Sequence, residues 1–391
     1  MSENIVFRKG TYNLNRQANF SFQLNRVINW DGGELADIKP IAEKITDSLS
    51  WKRELIRLGD TAMKEGRTKN AIAYYRMAEF FMYDDDEDKL KYYRLATGLF
   101  YDFYSEYFAG GRVERLSVPY ENVMLPVMHV KAVGERKDTI LLHGGNDSYF
   151  EEFFFPMLYF SESGYEVYLF EGPGQGGVLR EQGKHFTWQW EKPVKAILDA
   201  LMLDDVTIIG ASLGGMLAPR AAAFDTRIQR LIGWSVFPSF LSVAMCAIPK
   251  HLRGVMRLAI KCDCSFIINA KLKKMMKREQ TIDWAFRHGM YAYEAKTPFD
   301  YLKKLGKFQM TDVGEKITQD TLVIGASKDH FIPTKLYKEE LDALTHVRSL
   351  TFRLFTERES AEDHCNCGNS KLCFDTMMSW IEQIKKRDEN V

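Results

Sequence analysis

The chain has 391 residues, of which 46% are apolar, and its 53 Lys and Arg residues are balanced by 53 Asp and Glu residues. This length and apolar content are enough for a large packed core and favour an architecture of more than one part. The net charge of zero argues against nucleic acid as a partner, because binding to a phosphate backbone needs a surplus of basic residues.

No targeting signal or membrane segment is expected from the sequence. Residues 1–13 are polar and lack the apolar core of a secretion signal. Residues 231–249 are uncharged, but Pro238 and several small polar residues interrupt them, and a membrane span needs steadier hydrophobicity. We therefore predict a cytoplasmic protein with no membrane partner.

The six cysteines also fit a reducing compartment, because a long chain without a signal peptide rarely depends on disulfides. Cys365, Cys367 and Cys373 cluster near the end of the chain, and Cys262 and Cys264 form a C-x-C pair. Structural zinc sites usually separate paired cysteines by two residues or more. We interpret the cysteines as packing residues and expect neither a metal nor an organic cofactor.

Residues 1–114 are predicted to form an N-terminal helical domain. Apolar residues spaced by three and four positions predict a helix that Thr68 caps: Ala71, Ile72, Tyr75, Ala78 and Met82. A second helix is predicted after the acidic run 84–88, since negative charge favours a helix N-terminus. Gly110 and Gly111 are its predicted end.

From residue 115 the pattern changes to alternating strands and helices. A strand pair is predicted at 115–120 and 123–133, and further strands at 139–142, 165–170, 206–209, 231–236, 321–326 and 349–355. Helical segments lie between most of the later strands, and such alternation is typical of a mostly parallel sheet with helices on both faces. We predict an α/β core in two parts, residues 115–239 and 319–391.

Residues 240–318 separate the two parts of the core. The segment is predicted to be mostly helical, and we interpret its basic run, residues 271–278, as a solvated helix face. An insertion between two core strands, together with the helical N-terminal domain, predicts a cap over the sheet.

Residues 210–214 read Gly-Ala-Ser-Leu-Gly and directly follow the predicted strand 206–209. This G-x-S-x-G pattern places a serine on a sharp turn between a strand and a helix, where neighbouring positions have little room for side chains. The turn lifts the serine hydroxyl above the sheet. Ser212 is therefore the predicted nucleophile.

A nucleophilic serine needs a base and an acid that orients the base, and after such a turn they follow in the order acid, then histidine. Asp329 comes directly after the predicted strand 321–326. Beyond the loop that holds Asp329 and its neighbour His330, the remaining histidines are His346 and His364, and His364 occupies the loop after the last predicted strand. We predict Asp329 as the acid and His364 as the base.

Two backbone amides are expected to stabilise the oxyanion of the reaction. Leu213 is one, because it follows the nucleophile. The other should come from the loop that reads His-Gly-Gly-Asn at 143–146, with Gly145 as the first choice and Asn146 as the second. The glycine-rich turn 171–176 lacks the G-x-G-x-x-G spacing of a dinucleotide loop, and we interpret it as a tight turn near the site.

These motifs resemble the α/β hydrolases that carry an N-terminal helical domain, a group that includes 2,6-dihydroxypseudooxynicotine hydrolase and acylaminoacyl-peptidase-like proteins. The resemblance covers nearly the whole chain. It implies the α/β-hydrolase fold, a helical cap over the site, the same three catalytic roles for Ser212, Asp329 and His364, and a homodimer. In the carbon–carbon hydrolase of this group a further carboxylate follows the strand after the nucleophile helix, whereas residues 235–247 contain no Asp or Glu.

The sequence thus predicts hydrolysis of a small ester, thioester or amide through an acyl-serine intermediate, with a small molecule or short peptide as substrate. An exopeptidase on short peptides and a carbon–carbon hydrolase are the alternatives among enzymes. A module that binds a partner protein through the N-terminal helices is the alternative outside enzymes, and the complete set of three catalytic residues argues against it.

Overall fold

The computed structural model describes residues 5–30, 32–246, 248 and 250–390, and of Leu252 and Ile267 it describes the backbone. Residues 247 and 249 of the uncharged stretch 231–249 lie outside the described residues. Within the described part, no helix has both the length and the hydropathy needed to cross a bilayer.

Eight strands form one sheet in the order β1-β2-β4-β3-β5-β6-β7-β8. They are β1 Glu114–Tyr120, β2 Val123–Val130, β3 Asp138–His143, β4 Tyr165–Phe170, β5 Val206–Ala211, β6 Ile228–Trp234, β7 Asp320–Ala326 and β8 Ser349–Phe355. β1 and β2 form an antiparallel pair, β2 pairs antiparallel with β4, and β3 to β8 are parallel. Every residue of β3, β5 and β7 is buried, as expected for strands covered on both faces.

Helices precede the sheet and cover it. Those before the sheet are α1 Ala18–Trp30, α2 Leu35–Ala42, α3 Ser48–Lys64, α4 Thr68–Phe80, α5 Asp88–Phe103 and α6 Ser105–Ala109. Those between strands or after the last strand are α7 Phe154–Glu162, α8 Gly176–Arg180, α9 Glu191–Ala200, α10 Gly214–Ala222, α16 Tyr337–Ala343 and α17 Ser370–Glu389. The α/β fold with a mostly parallel sheet and a helical N-terminal region is therefore confirmed.

Five helices lie between β6 and β7: α11 Phe240–Cys246, α12 Lys250–Lys261, α13 Ser265–Met276, α14 Gln280–Ala292 and α15 Pro298–Leu305. The N-terminal helices contact them directly. Trp284 of α14 stacks on Phe80 of α4 with ring centroids 5.2 Å apart, and its indole N–H donates to the Phe80 carbonyl at 3.2 Å. The two helical regions therefore share apolar packing.

The start of α4 differs from the sequence prediction in one detail. Thr68 is the first helical residue, and Arg67 occupies the N-cap position without a side-chain capping bond. The predicted apolar face of this helix is buried, however, so packing determines the helix more than its cap does.

Candidate active site

Ser212 lies on the turn between β5 and α10, and its φ of 59° places it in the left-handed region that most residues avoid. The neighbouring glycines leave room for this turn. A Cβ atom on Gly210 would lie 2.1 Å from the Gly214 carbonyl oxygen, and one on Gly215 would lie 2.2 Å from the Ser235 carbonyl oxygen. The strained turn therefore depends on residues without side chains on both sides of the serine.

The three predicted catalytic residues lie together above the carboxyl ends of the strands. Ser212 Oγ is 2.8 Å from His364 Nε2, and His364 Nδ1 is 2.7 Å from Asp329 Oδ2. The other oxygen of Asp329 accepts hydrogen bonds from the amides of Phe331 at 2.9 Å and Ile332 at 3.0 Å. These amides fix the carboxylate, which in turn orients the imidazole. The other candidate base, His346, is exposed, and among the described residues it forms a hydrogen bond only with its neighbour Thr345.

The surroundings of His364 favour its protonated, positively charged form. Burial opposes the protonated imidazole, but the negative charge of Asp329 and its hydrogen bond raise the pKa of His364 well above the usual value. Burial likewise opposes the ionised carboxylate of Asp329, but the adjacent His364 and the backbone amides lower the pKa of this group. The lowered pKa keeps Asp329 ionised, and an ionised carboxylate in this position can stabilise a protonated imidazole.

The loop after β3 packs directly against Ser212. A Cβ atom on Gly145 would lie 2.7 Å from the Leu213 nitrogen and 2.7 Å from Ser212 Cβ, so this position requires glycine. The Gly145 amide donates to Ser148 Oγ at 2.8 Å and is already engaged. In the described part of the chain, the amides of Leu213 and Asn146 form no hydrogen bond. The geometry favours Asn146 over Gly145 as the second oxyanion donor.

The glycine-rich turn 171–176 supports this loop from behind. The side-chain amide of Gln175 donates to the carbonyls of Gly144 at 2.9 Å and Gly145 at 3.0 Å, and its oxygen accepts from the Gly172 amide at 2.9 Å. The sequence indicated a turn near the site but not the role of Gln175, since that role depends on contact between two loops thirty residues apart.

A cavity of about 180 Å³ opens beside Ser212 and His364. The sequence predicted a helical cap over the sheet, but it did not single out α1 as part of the cavity wall. Helix α1 contributes Phe22, Gln23, Arg26 and Trp30, and the inserted helices contribute Phe240, Val243, Trp284, Ala285, His288 and Tyr301. Burial, and then the nearby charges of Lys89 and Arg180, lower the pKa of His288 to about 3, so this ring stays neutral. The cavity is mainly apolar with a few polar groups, as in most small-molecule sites.

The Arg26 guanidinium forms a buried ion pair with Glu152, with Arg26 Nη2 2.5 Å and Arg26 Nε 3.1 Å from the carboxylate oxygens. This pair connects α1 to the segment that follows β3. Arg26 Nη1 also lies 3.9 Å from Asp147 Oδ1, and Asp147 itself lines the cavity. Burial raises the pKa of Asp147 despite the neighbouring arginine.

Cysteines do not form a metal site in the described part of the chain. No group of three or more His, Cys, Asp or Glu side chains there is arranged to hold a metal ion. Cys365, Cys367 and Cys373 are buried, and Cys262 and Cys264 are exposed. All six cysteines are free thiols.

Comparisons with known proteins concern the family of the chain. Residues 140–366, more than half of the chain, match the family model described as the alpha/beta hydrolase fold. The chain is 26% identical over 362 residues to hydrolase acrC of Aspergillus aculeatus, covering 84% of this chain and 83% of that protein. It is 25% identical over 414 residues to hydrolase LUC6 of a Fusarium species, covering 95% of this chain and 98% of that protein.

Among solved structures, the 2,6-dihydroxy-pseudo-oxynicotine hydrolase superposes with a TM-score of 0.64 and 20% sequence identity, covering 92% of this chain and 94% of that chain. At this identity the likeness concerns the fold, and it confirms the resemblance that the sequence motifs predict. The match to the family model, the named hydrolases among the relatives and the shared fold lead to one conclusion: the chain belongs to the α/β-hydrolase family, and hydrolysis is its class of chemistry.

Proposed function

We propose that the protein is a serine hydrolase that cleaves a small ester, thioester or amide through an acyl-Ser212 intermediate. The observation that carries the proposal is the continuous hydrogen-bonded chain from Ser212 through His364 to Asp329, with distances of 2.8 Å and 2.7 Å. A serine hydroxyl is a weak nucleophile at neutral pH, and a base within hydrogen-bonding distance activates it.

In the proposed mechanism, Ser212 Oγ attacks the substrate carbonyl carbon and its proton moves to His364 Nε2. The carbonyl oxygen becomes an oxyanion, which the amides of Leu213 and Asn146 stabilise by hydrogen bonds. The bond to the leaving group breaks as His364 returns the proton to that group. A water molecule then attacks the acyl carbon while His364 takes its proton. The bond between the acyl carbon and Ser212 Oγ breaks as His364 passes this proton to Oγ, which releases the acid and restores the serine.

The size and chemistry of the cavity limit the substrate. Its volume of about 180 Å³ and its aromatic wall favour a compact apolar acyl group. Helix α1 and the inserted helices form the walls of the cavity and cover it, so they exclude bulky folded substrates. A small molecule or a short peptide is therefore the substrate that fits the proposal.

Covalent labelling with a fluorophosphonate tests this proposal. The native protein should be labelled at Ser212, and Ser212→Ala should not be labelled. Ser242→Ala serves as a control, because Ser242 lies on α11 and bonds to Glu339 outside the cavity wall. Equal labelling of the Ser212→Ala variant would refute the proposed nucleophile.

One observation favours a second candidate, a carbon–carbon hydrolase. Residues 235–247 lack the expected carboxylate, but Asp147 from a different loop lines the cavity, and burial raises its pKa. A carboxylic acid at this position could protonate the carbon leaving group when Ser212 attacks the neighbouring carbonyl of a β-diketone.

The two candidates differ in their response to Asp147→Asn. A carbon–carbon hydrolase should lose β-diketone cleavage in this variant and keep its reactivity toward aryl esters. An ester or amide hydrolase should cleave aryl esters in both forms and leave β-diketones intact. Product analysis of the two substrate classes with the native protein and the variant distinguishes them.

A further inference from the structure

The outer helices of the insertion carry a concentrated positive charge. Residues 250–278, which span α12 and α13, contain nine Lys and Arg residues and one acidic residue, Asp263. Their net charge is +8 in a chain whose total is zero, so the rest of the molecule carries −8. The basic run 271–278, which the sequence predicts to be a solvated helix face, is only part of this segment.

Most of these charges have no protein partner. Eight of the nine basic residues are exposed and form no ion pair with any described residue: Lys250, Arg257, Lys261, Lys271, Lys273, Lys274, Lys277 and Arg278. The ninth, Arg253, donates to the backbone carbonyls of Ile248 and Cys246. Asp263 is paired with Lys303 of α15 at 3.0 Å, so it neutralises none of the eight.

Large apolar side chains are exposed among these charges. Phe266 is 87% exposed, Val255 is 65% exposed and Leu258 is 61% exposed. Val255 and Leu258 are three positions apart and share the outer face of α12, and Phe266 lies at the start of α13. Exposed apolar residues usually occur singly, so a group of three among unpaired cations indicates a surface that binds a partner.

We propose that the outer face of α12 and α13 is a docking site for an anionic lipid surface. Lysine and arginine side chains would contact the lipid phosphates, and Phe266, Val255 and Leu258 would enter the boundary between headgroups and acyl chains. A helix with basic residues and large apolar residues on its exposed side lies in this way in the plane of a membrane interface. The proposal revises the expectation of no membrane partner, which rested on the lack of a spanning segment.

Charge complementarity distinguishes the lipid surface from other partners. A second copy of the chain that met this face with the same face would bring a charge of +8 against +8, so a symmetric dimer through α12 and α13 is disfavoured. The implied homodimer would use another surface. A nucleic acid would satisfy the cations but would leave the exposed apolar side chains in water. An anionic bilayer would both pair with the cations and remove the apolar side chains from water.

The helices of the docking site contact the helices that line the cavity. α12 and α13 both contact α15, and α13 also contacts α14. α14 and α15 supply Trp284, His288 and Tyr301 to the cavity wall. A membrane bound at the outer helices would therefore lie against the roof of the site, where an apolar substrate dissolved in the bilayer is concentrated.

Sedimentation with phospholipid vesicles tests the proposal on the full chain. The protein should bind vesicles of phosphatidylcholine with phosphatidylserine, bind vesicles of phosphatidylcholine alone about tenfold or more weakly, and dissociate as salt screens the charges. The triple variant Lys271→Glu, Lys273→Glu and Lys274→Glu should lose about tenfold or more of the binding. Phe266→Ser tests the apolar contribution separately and should weaken binding to the anionic vesicles.

A matched charge control lies in the N-terminal helical region, with Lys39 on α2, Lys64 on α3 and Lys44 in the turn between them. Lys39→Glu, Lys44→Glu and Lys64→Glu change the net charge equally at exposed sites away from α12 and α13, and should retain binding. Fluorophosphonate labelling of Ser212 should be unchanged in all these variants, so a failure of docking is separable from a failure of the proposed function. Equal binding to neutral vesicles, preference for single-stranded DNA over vesicles, or dissociation of a dimer by Phe266→Ser would each overturn the proposal.

Discussion

His364 is held between a nucleophile and an ionised carboxylate, and this position sets the expected pH dependence. Only the neutral imidazole can accept the Ser212 proton, and Asp329 raises the pKa of the imidazole well above its usual value. Activity should therefore rise with pH, and the midpoint of kcat/KM should lie above about 6.5, the ordinary histidine value. A profile that stays flat from about pH 5 to about pH 8, the range in which histidine titrates, would contradict a histidine base.

Asp329→Asn tests the cause of this shift. The variant removes the negative charge, so the burial that opposes the imidazolium is no longer offset, and the midpoint should move to lower pH. The value of kcat should fall by about 10⁴ because the tautomer of the base is no longer fixed. His346→Ala is the matched control for loss of an exposed histidine and should leave both the rate and the midpoint unchanged.

Gly145 is expected to tolerate no side chain. A Cβ atom there would lie 2.7 Å from the Leu213 nitrogen, an amide proposed to hold the oxyanion. Gly145→Ala should therefore lower kcat by about 10²–10³, the scale for loss of one oxyanion donor. Gly98→Ala on α5 is the control, since its Cβ would meet no atom within 4 Å, and steady-state kinetics of the two variants should differ accordingly.

At the residue scale, the sequence could predict that Ser212, Asp329 and His364 lie together, because each follows a strand in an order that the fold dictates. It could not choose between Gly145 and Asn146. That choice depends on the Ser148 hydroxyl, whose oxygen accepts a hydrogen bond from the Gly145 amide in the folded loop. Nor could it identify Gln175, whose function arises only when two loops meet.

At the scale of elements, α1 is the part of the site that the sequence did not predict. Its buried residues Phe20, Leu24, Val27 and Ile28 have helical spacing, but three asparagines in the same helix weaken the signal. Packing against α2 and α4, rather than local propensity, stabilises this helix. The strands were easier to predict, since continuous apolar runs such as that of β7 are typical of buried parallel strands.

The ion pair that connects α1 to the core should be essential for stability. Arg26→Met leaves the fully buried Glu152 carboxylate without its partner, and the free energy of unfolding should fall by about 3–5 kcal/mol. The double variant Arg26→Met, Glu152→Met should recover most of this loss, because it removes both charges together. Denaturant unfolding of the native protein, the single variant and the double variant measures these free energies.

The exposed pair of Lys338 and Asp342 provides the control for that comparison. Lys338→Ala should have the unfolding midpoint of the native protein within experimental error, since exposed ion pairs contribute little to stability. If Arg26→Met is equally silent, α1 is not anchored by the pair, and the packing of Phe22 and Trp30 must hold it instead.

At the scale of the whole molecule, the N-terminal helices and the inserted helices form one roof over the site. Tyr83 after α4 donates to Asp283 of α14 at 2.8 Å, and Arg287 pairs with Asp85 at 2.7 Å. The sequence predicted both helical regions but could not show that they pair with each other, because contacts two hundred residues apart leave no local pattern.

This roof leads to a prediction about substrate size. A cavity of about 180 Å³ covered by the N-terminal and the inserted helices should admit compact aryl or acyl esters and exclude a folded or extended protein chain. We expect Ser212-dependent hydrolysis of small esters and no detectable digestion of casein. Deletion of residues 1–110 removes the α1 wall of the cavity and exposes the apolar side chains that the N-terminal helices cover, so the shortened chain should be inactive or insoluble. Casein digestion by the intact protein that disappears in Ser212→Ala, or full ester hydrolysis by a soluble shortened chain, would show that the helices do not roof the site.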